Sequence, residues 1–253
     1  MNRLQWAKFL PMLLLPFLFS ACTPSVSPRN RHLALEHYES GLRKLSENQI
    51  QGAFWDFEFA NHLDPNLGRV HYGLGHVYYK MHDFQDATNE LLNARKFVRE
   101  RAAANNYLGL IEFRQHSYQR AMHYFNLSLS DSLYRTPERP LTNLGRTYMA
   151  MHDLDAARDH FSKAILRNNS FAPAHYYLGA LFYSRGKLNQ ALKEYSFVIR
   201  LAPKFPKPYY EIGKIYLKLE NRQKALAAFE EVVRLDPDSV EGVKASHYVK
   251  KLK

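Results

Sequence analysis

The chain has one cysteine, Cys22, among 253 residues, so no internal disulfide can hold it together. It also lacks the signatures from which catalysis is read. There is no glycine loop shaped to cradle a phosphate, no His-Glu-x-x-His helix for zinc and no nucleophile elbow. Neither enzymatic activity nor a cofactor is expected. The apolar stretch Phe9 to Phe19 runs for 11 residues and contains Pro11 and Pro16, which is too short where a membrane-spanning helix needs about 20. Acidic side chains are scarce, with 24 Asp and Glu against 35 Lys and Arg, for a formal net charge of +11. Such a balance suits acidic partners, phospholipid headgroups or nucleic acid, or is simply a solvated face. No recognisable nucleic-acid module is present, so nucleic acid is not expected as a partner.

What the chain does have is a period. Six glycines, Gly41, Gly75, Gly109, Gly145, Gly179 and Gly213, follow one another at 34 residues, except for one step of 36 between Gly109 and Gly145. Twelve residues after each stands an alanine (Ala53, Ala87, Ala121, Ala157, Ala191, Ala225). Sixteen after stands a bulky residue (Phe57, Leu91, Phe125, Phe161, Tyr195, Phe229). Glycine inside a helix costs about 1 kcal/mol relative to alanine, so its recurrence at one position predicts two helices approaching too closely for a side chain. The alanine is expected on the partner helix at that crossing, with the bulky residue filling the groove alongside. Leu74, Leu108, Leu144, Leu178 and Ile212 precede their glycines as core candidates. Pro65, Pro203 and Pro237 end the second helix in three repeats, because proline cannot continue it.

A 34-residue period of this pattern resembles the tetratricopeptide repeat, a pair of antiparallel helices. The fold class expected is therefore all-α: a tetratricopeptide-repeat superhelix with six helix-turn-helix repeats over residues 34–237 and a capping helix over 238–253. In that last helix Val240, Val243, Tyr248, Val249 and Leu252 are expected on the packed side, and Lys244, Lys250 and Lys251 on the polar outer side that a solenoid end needs.

The N-terminus follows a different logic. Arg3 and Lys8 form a positive region, Phe9 to Phe19 an apolar one, and Ser20-Ala21 supply small residues before a cleavage point, so residues 1–21 read as an export signal. Its removal leaves a formal charge of +9. Phe19-Ser20-Ala21-Cys22 resembles the lipobox of bacterial lipoproteins, with Phe19 where leucine is usual. That resemblance implies acylation of Cys22, a permanent membrane anchor and, with Thr23 rather than aspartate following, the periplasmic face of the outer membrane. Residues 22–33 are expected to be a lipidated, extended tether, with Pro24 and Pro28 and no periodicity.

Twelve histidines invite a metal reading. His37, His71 and His175 each stand four residues before a repeat glycine, which makes them equivalents in separate repeats rather than converging ligands. Met81-His82-Asp83 and Met151-His152-Asp153 recur where the two helices of a repeat are joined. No metal site is expected.

By the same resemblance, the first helices line a concave groove. Three residues before the glycine stand Tyr38, Tyr72, Asn106, Thr142, Tyr176 and Tyr210. Four after it stand Leu45, Tyr79, Phe113, Met149, Tyr183 and Leu217; one after it, Leu42, His76, Leu110, Arg146, Ala180 and Lys214. Tyrosine and arginine are frequent interface anchors, so Tyr72, His76, Tyr79, Arg146, Tyr176, Tyr183, Tyr210 and Lys214 are candidate protein-binding residues. The bland reading is that the aromatics pack between neighbouring first helices. The first repeat differs: Leu35, Tyr38, Leu42 and Leu45 give it an apolar groove face, which commonly marks a partner site.

A closer resemblance lies at the 36-residue step. Leu133-Tyr134, Pro137-Glu138-Arg139 and Asn143-Leu144-Gly145, together with Asn105-Asn106-Tyr107 and the lipobox, are similar to the type IV pilus biogenesis lipoproteins of the PilF/PilW/Tgl family. The gap from Pro-Glu-Arg to Asn-Leu-Gly is two residues shorter here, and Leu108 shifts Asn-Asn-Tyr by one. The resemblance implies a pilotin, an outer-membrane lipoprotein that binds secretin subunits and promotes their targeting and multimerisation. The alternative is a periplasmic adaptor that recruits envelope enzymes such as peptidoglycan hydrolases.

Overall fold

The computed structural model describes residues 26–253. Cys22 and the export signal expected at 1–21 lie outside the described residues. Within them the chain forms thirteen α-helices, paired in sequence: α1 (Pro28–Ser46) with α2 (Ile50–Leu63), α3 (Gly68–Met81) with α4 (Phe84–Ala94), α5 (Arg101–Arg114) with α6 (Tyr118–Leu129), α7 (Glu138–Ala150) with α8 (Leu154–Arg167), α9 (Ala172–Ser184) with α10 (Leu188–Leu201), and α11 (Pro206–Lys218) with α12 (Arg222–Leu235), followed by α13 (Val240–Leu252). Each pair packs on the next, and first helices also touch first helices (α1 on α3, α3 on α5, α5 on α7, α7 on α9). The six repeats and the capping helix are as the period predicts.

One local feature makes every pair turn back on itself. Seven residues after each repeat glycine the backbone is left-handed: Asn48, His82, His116, His152, Gly186 and Glu220 have φ of 60°, 65°, 60°, 63°, 70° and 56°. The residue after it returns its N–H to a carbonyl five residues back, as Asp83 does to Tyr78 at 3.0 Å and Asp153 to Tyr148 at 2.9 Å, which closes the first helix. Asp83 and Asp153 then cap the second helix, their carboxylates accepting from the backbone N–H of Asp86 at 3.3 Å and of Ala156 at 3.0 Å. The recurrent Met-His-Asp is thus a turn, in which histidine tolerates the left-handed conformation and aspartate starts the next helix.

The crossing is made differently from the expectation. The bulky residue, not the alanine, lies over the glycine: a Cβ added to Gly41 would meet the Phe57 ring at 2.6 Å, one on Gly109 the Phe125 ring at 2.5 Å, and one on Gly145 the Phe161 ring at 2.5 Å. An aromatic ring is flat and covers a glycine-sized hollow closely, whereas an alanine methyl would leave it empty. The alanines are nonetheless fully buried, beside their rings in the successive cores.

Both ends also differ from the expectation. Helix α1 begins inside the stretch expected as tether to residue 33, because Ser27 accepts the Asn30 N–H at 3.1 Å and Pro28 fills the first helical position. Arg31 on this added turn reaches the buried Asp64 at 3.1 Å. On α13, Tyr248, Val249 and Leu252 pack against the Phe229 core as expected, but Val240 and Val243 remain exposed on its first turn. Lys244, Lys250 and Lys251 face solvent.

Candidate protein-binding groove

The tyrosines read as a ladder are half-buried and spend much of their surface on neighbouring repeats. Tyr72 on α3 meets Tyr107 on α5 edge to face at 5.7 Å, and Tyr79 meets the same ring at 5.4 Å. Tyr176 packs against Tyr195 at 5.6 Å and Phe205 at 5.9 Å, and Tyr210 against Phe229 at 5.7 Å and Tyr248 at 6.4 Å. Burial pushes the phenols of Tyr72, Tyr107, Tyr176 and Tyr210 above their ordinary range. Side chains that face the groove are also flanked by the next first helix, so one ring serves both packing and surface.

The basic residues divide. His76 lies 4.8 Å from the Tyr107 ring, and its pKa is pushed down to about 4 by burial and then by Lys80 and Arg139. It is therefore neutral at pH 7 and adds no charge to the groove. Lys214 pairs with Glu211 at 2.6 Å, and its ammonium lies 5.2 Å from the Tyr183 ring and 5.5 Å from that of Tyr210. Arg146 lies against two rings, with its guanidinium carbon 4.9 Å from the centroids of both Phe113 and Tyr177. It donates to Asn143 Oδ1 at 3.1 Å, and Asn143 donates in turn to Asn106 Oδ1 at 3.0 Å.

In the first repeat the four apolar residues split. Tyr38 and Leu45 pack on the first core, Tyr38 lying 5.8 Å from the Phe57 ring beneath the guanidinium of Arg69 at 5.6 Å. Leu42 is 36% exposed. Leu35 lines a shallow depression with His32, Glu36, Glu39 and Arg43.

Histidines at the other face are structural. His71 places Nδ1 2.7 Å from Glu90 and Nε2 2.9 Å from the Pro65 carbonyl; His175 repeats this with Glu194 at 2.7 Å and Asn169 at 3.0 Å. His37 meets Asp56 at 3.2 Å. Each acid stands nineteen residues after its histidine, a signal present in the period that comparing the histidines with one another does not bring out. Asn106, Asn143, Arg139 and Tyr177 are not among the residues that the repeat pattern nominates for binding, although Arg139 and the asparagines stand in the segments that carry the pilus resemblance.

Tetratricopeptide-repeat family profiles match residues 72–135, 139–171, 181–220 and 206–239. An uncharacterised protein of Haemophilus influenzae is 28% identical over 130 residues, which are 51% of this chain and 73% of that protein. Among solved structures, a chain of the APC/C hetero-tetramer Cut9-Hcn1 superposes with a TM-score of 0.72 at 19% identity over 87% of this chain, which spans only 42% of that larger one. PilF of Pseudomonas aeruginosa superposes at 0.67 with 20% identity, covering 87% of this chain and 99% of its own. PilW, a type IV pilus biogenesis factor, superposes at 0.70 with 19% identity, covering 84% and 98%. Likenesses at these identities speak to the fold. Over its described residues the chain is an all-α tetratricopeptide-repeat superhelix, six helix pairs with a capping helix, whose repeats suit it to binding other proteins.

Proposed function

We propose that this chain is an outer-membrane lipoprotein, anchored through Cys22, that binds secretin subunits and promotes their targeting and multimerisation in type IV pilus assembly. The observation that carries the reading is extent. The superposed superhelix takes in 87% and 84% of this chain and 99% and 98% of the PilF and PilW chains. The motifs around Pro137-Glu138-Arg139 and the lipobox at Cys22 support it from the sequence side. The partner strip is Leu35 and Leu42, two turns apart on α1 and not absorbed into the core as Tyr38 and Leu45 are.

Two variants test it. Cys22→Ser is expected to abolish labelling by a palmitate analogue and release the protein from the outer-membrane fraction; unchanged labelling would end the lipoprotein reading. Leu42→Glu should fold, be acylated and localise normally, while detergent-resistant secretin multimers and twitching motility fall together. Normal multimers in that strain, with peptidoglycan hydrolases rather than secretin co-purifying from detergent-solubilised envelopes, would favour the adaptor reading instead.

A further inference from the structure

The middle of the concave face holds a second candidate site, distinct from the α1 strip. A cavity of about 300 Å³ opens there between α3, α5, α7 and α9, and Arg114, Arg139 and Arg146 converge on it. No acidic side chain lines it. Among the described residues other arginines do form ion pairs, Arg31, Arg101, Arg120, Arg185 and Arg234 with an aspartate or glutamate each, but none of these three does. Three cations gathered without counter-charge in a hollow repel one another, an arrangement that an incoming anion relieves.

Arg146 is the best prepared of them. The ring centroids of Phe113 and Tyr177 each lie 4.9 Å from its guanidinium carbon, two cation–π contacts that restrict how the group can turn. One edge donor is used on Asn143 Oδ1, and the Asn143 to Asn106 hydrogen bond locks both carboxamides behind it. What remains is a fork for two parallel hydrogen bonds to a carboxylate. Arg114 is steadied by donating Nε to the Tyr79 hydroxyl at 3.2 Å. Leu110, Phe171 and Pro173 add apolar wall between the charges, and the hollow runs across four successive first helices. A small free anion would use one arginine and leave the rest of this strip empty.

We propose that this cup binds an acidic, extended protein segment, with Arg146 forming the fork for a side-chain carboxylate and Arg139 and Arg114 adding charge at its rim. The proposal does not rest on secretin being the partner, since it follows from the cup alone. Arg139 is exposed on the first turn of α7, so changing it leaves the packing intact and isolates the electrostatic contribution.

The test uses the full chain in detergent and a fluorescein-labelled, C-terminally amidated octapeptide of alternating aspartate and leucine, read by fluorescence anisotropy. Binding is expected, with the asparagine counterpart about tenfold weaker or more, the ratio set by one lost charge-assisted pair. Arg146→Lys keeps the charge but not the fork and should weaken binding about tenfold. Arg139→Gln should weaken it severalfold with an unchanged melting curve, and it decides the matter if Arg146→Lys fails to fold. Affinity unaffected by Arg146→Lys, or equal displacement of the peptide by millimolar phosphate, would reduce the cup to non-specific anion attraction and overturn the proposal. So would failure of the aspartate peptide to bind at all. None of these outcomes bears on the Leu42→Glu strain, so the two readings fail separately.

Discussion

On α3, His71 and His76 stand five residues apart and meet opposite conditions. His71 faces the seam between α3 and α4, where Glu90 and the Pro65 carbonyl accept from both ring nitrogens, and the Glu90 hydrogen bond holds its pKa above the ordinary value against the opposing effect of burial. His76 faces the concave side, where burial among aromatic rings and the charges of Lys80 and Arg139 drive its pKa down to about 4. Inside a repeat, polar residues are paired by the period itself and serve stability. Across the concave face they answer to the next repeat, where no such repeated pairing holds and three arginines crowd one hollow. The seam itself departs from its rule at Asn105, the position of His71 one repeat later, whose buried Oδ1 has no partner. Regular positions therefore build the solenoid, and departures from regularity leave groups for a ligand.

The sharpest way to break this division is to remove a seam ring and a groove side chain in turn. Phe161 is fully buried over Gly145; Phe161→Ala should cost about 3 to 5 kcal/mol, while Leu42→Ala on the groove side should stay within about 0.5 kcal/mol. Thermal unfolding followed by circular dichroism measures both. Comparable losses would mean the groove carries the fold as much as the seam does.

A smaller effect tests the ring-over-glycine geometry itself. A Cβ on Gly145 would meet Phe161 at 2.5 Å, yet on Gly179 it would meet the Tyr195 ring only at 3.0 Å. Gly145→Ala should therefore lose stability by overpacking, about 1 to 3 kcal/mol less the helix-propensity gain of about 1 kcal/mol. Gly179→Ala should come out near neutral, since the ring needs to yield only slightly. A reversed order of melting temperatures would sink the account of why these six positions are glycine.

How much of this was legible in the chain follows the same division. The period gave the helix pairs, the prolines two residues past α2, α10 and α12, and the capping helix. The start of α1 was missed because Ser27-Pro28, a capping pair, sits in a stretch without apolar periodicity. The ring over the glycine was missed because spacing says which residues meet and not which of two neighbours lies on top. The Asn106–Asn143 pair was out of reach for a stricter reason. The two stand at non-equivalent places, three and two residues before their glycines, on either side of the single 36-residue step, so superimposing repeats never brings them together.

The smallest effect, and the one that returns to α3, is pH dependence. His71 has a folded pKa above its unfolded value of about 6.5, so its contribution is complete below that value and disappears as pH rises through the folded pKa. His76 has a folded pKa of about 4, so the unfolded chain takes up a proton first and stability falls as pH drops from about 6.5 towards 4. The two slopes have opposite signs. Glu90→Gln should flatten the alkaline side by removing the carboxylate that charges His71, and His76→Gln should flatten the acid side, each measured as melting temperature between pH 4 and 9. If Glu90→Gln instead altered only the acid limb, the imidazole of His71 would not be charged in the seam, and the contrast between the two faces of α3 would fall with it.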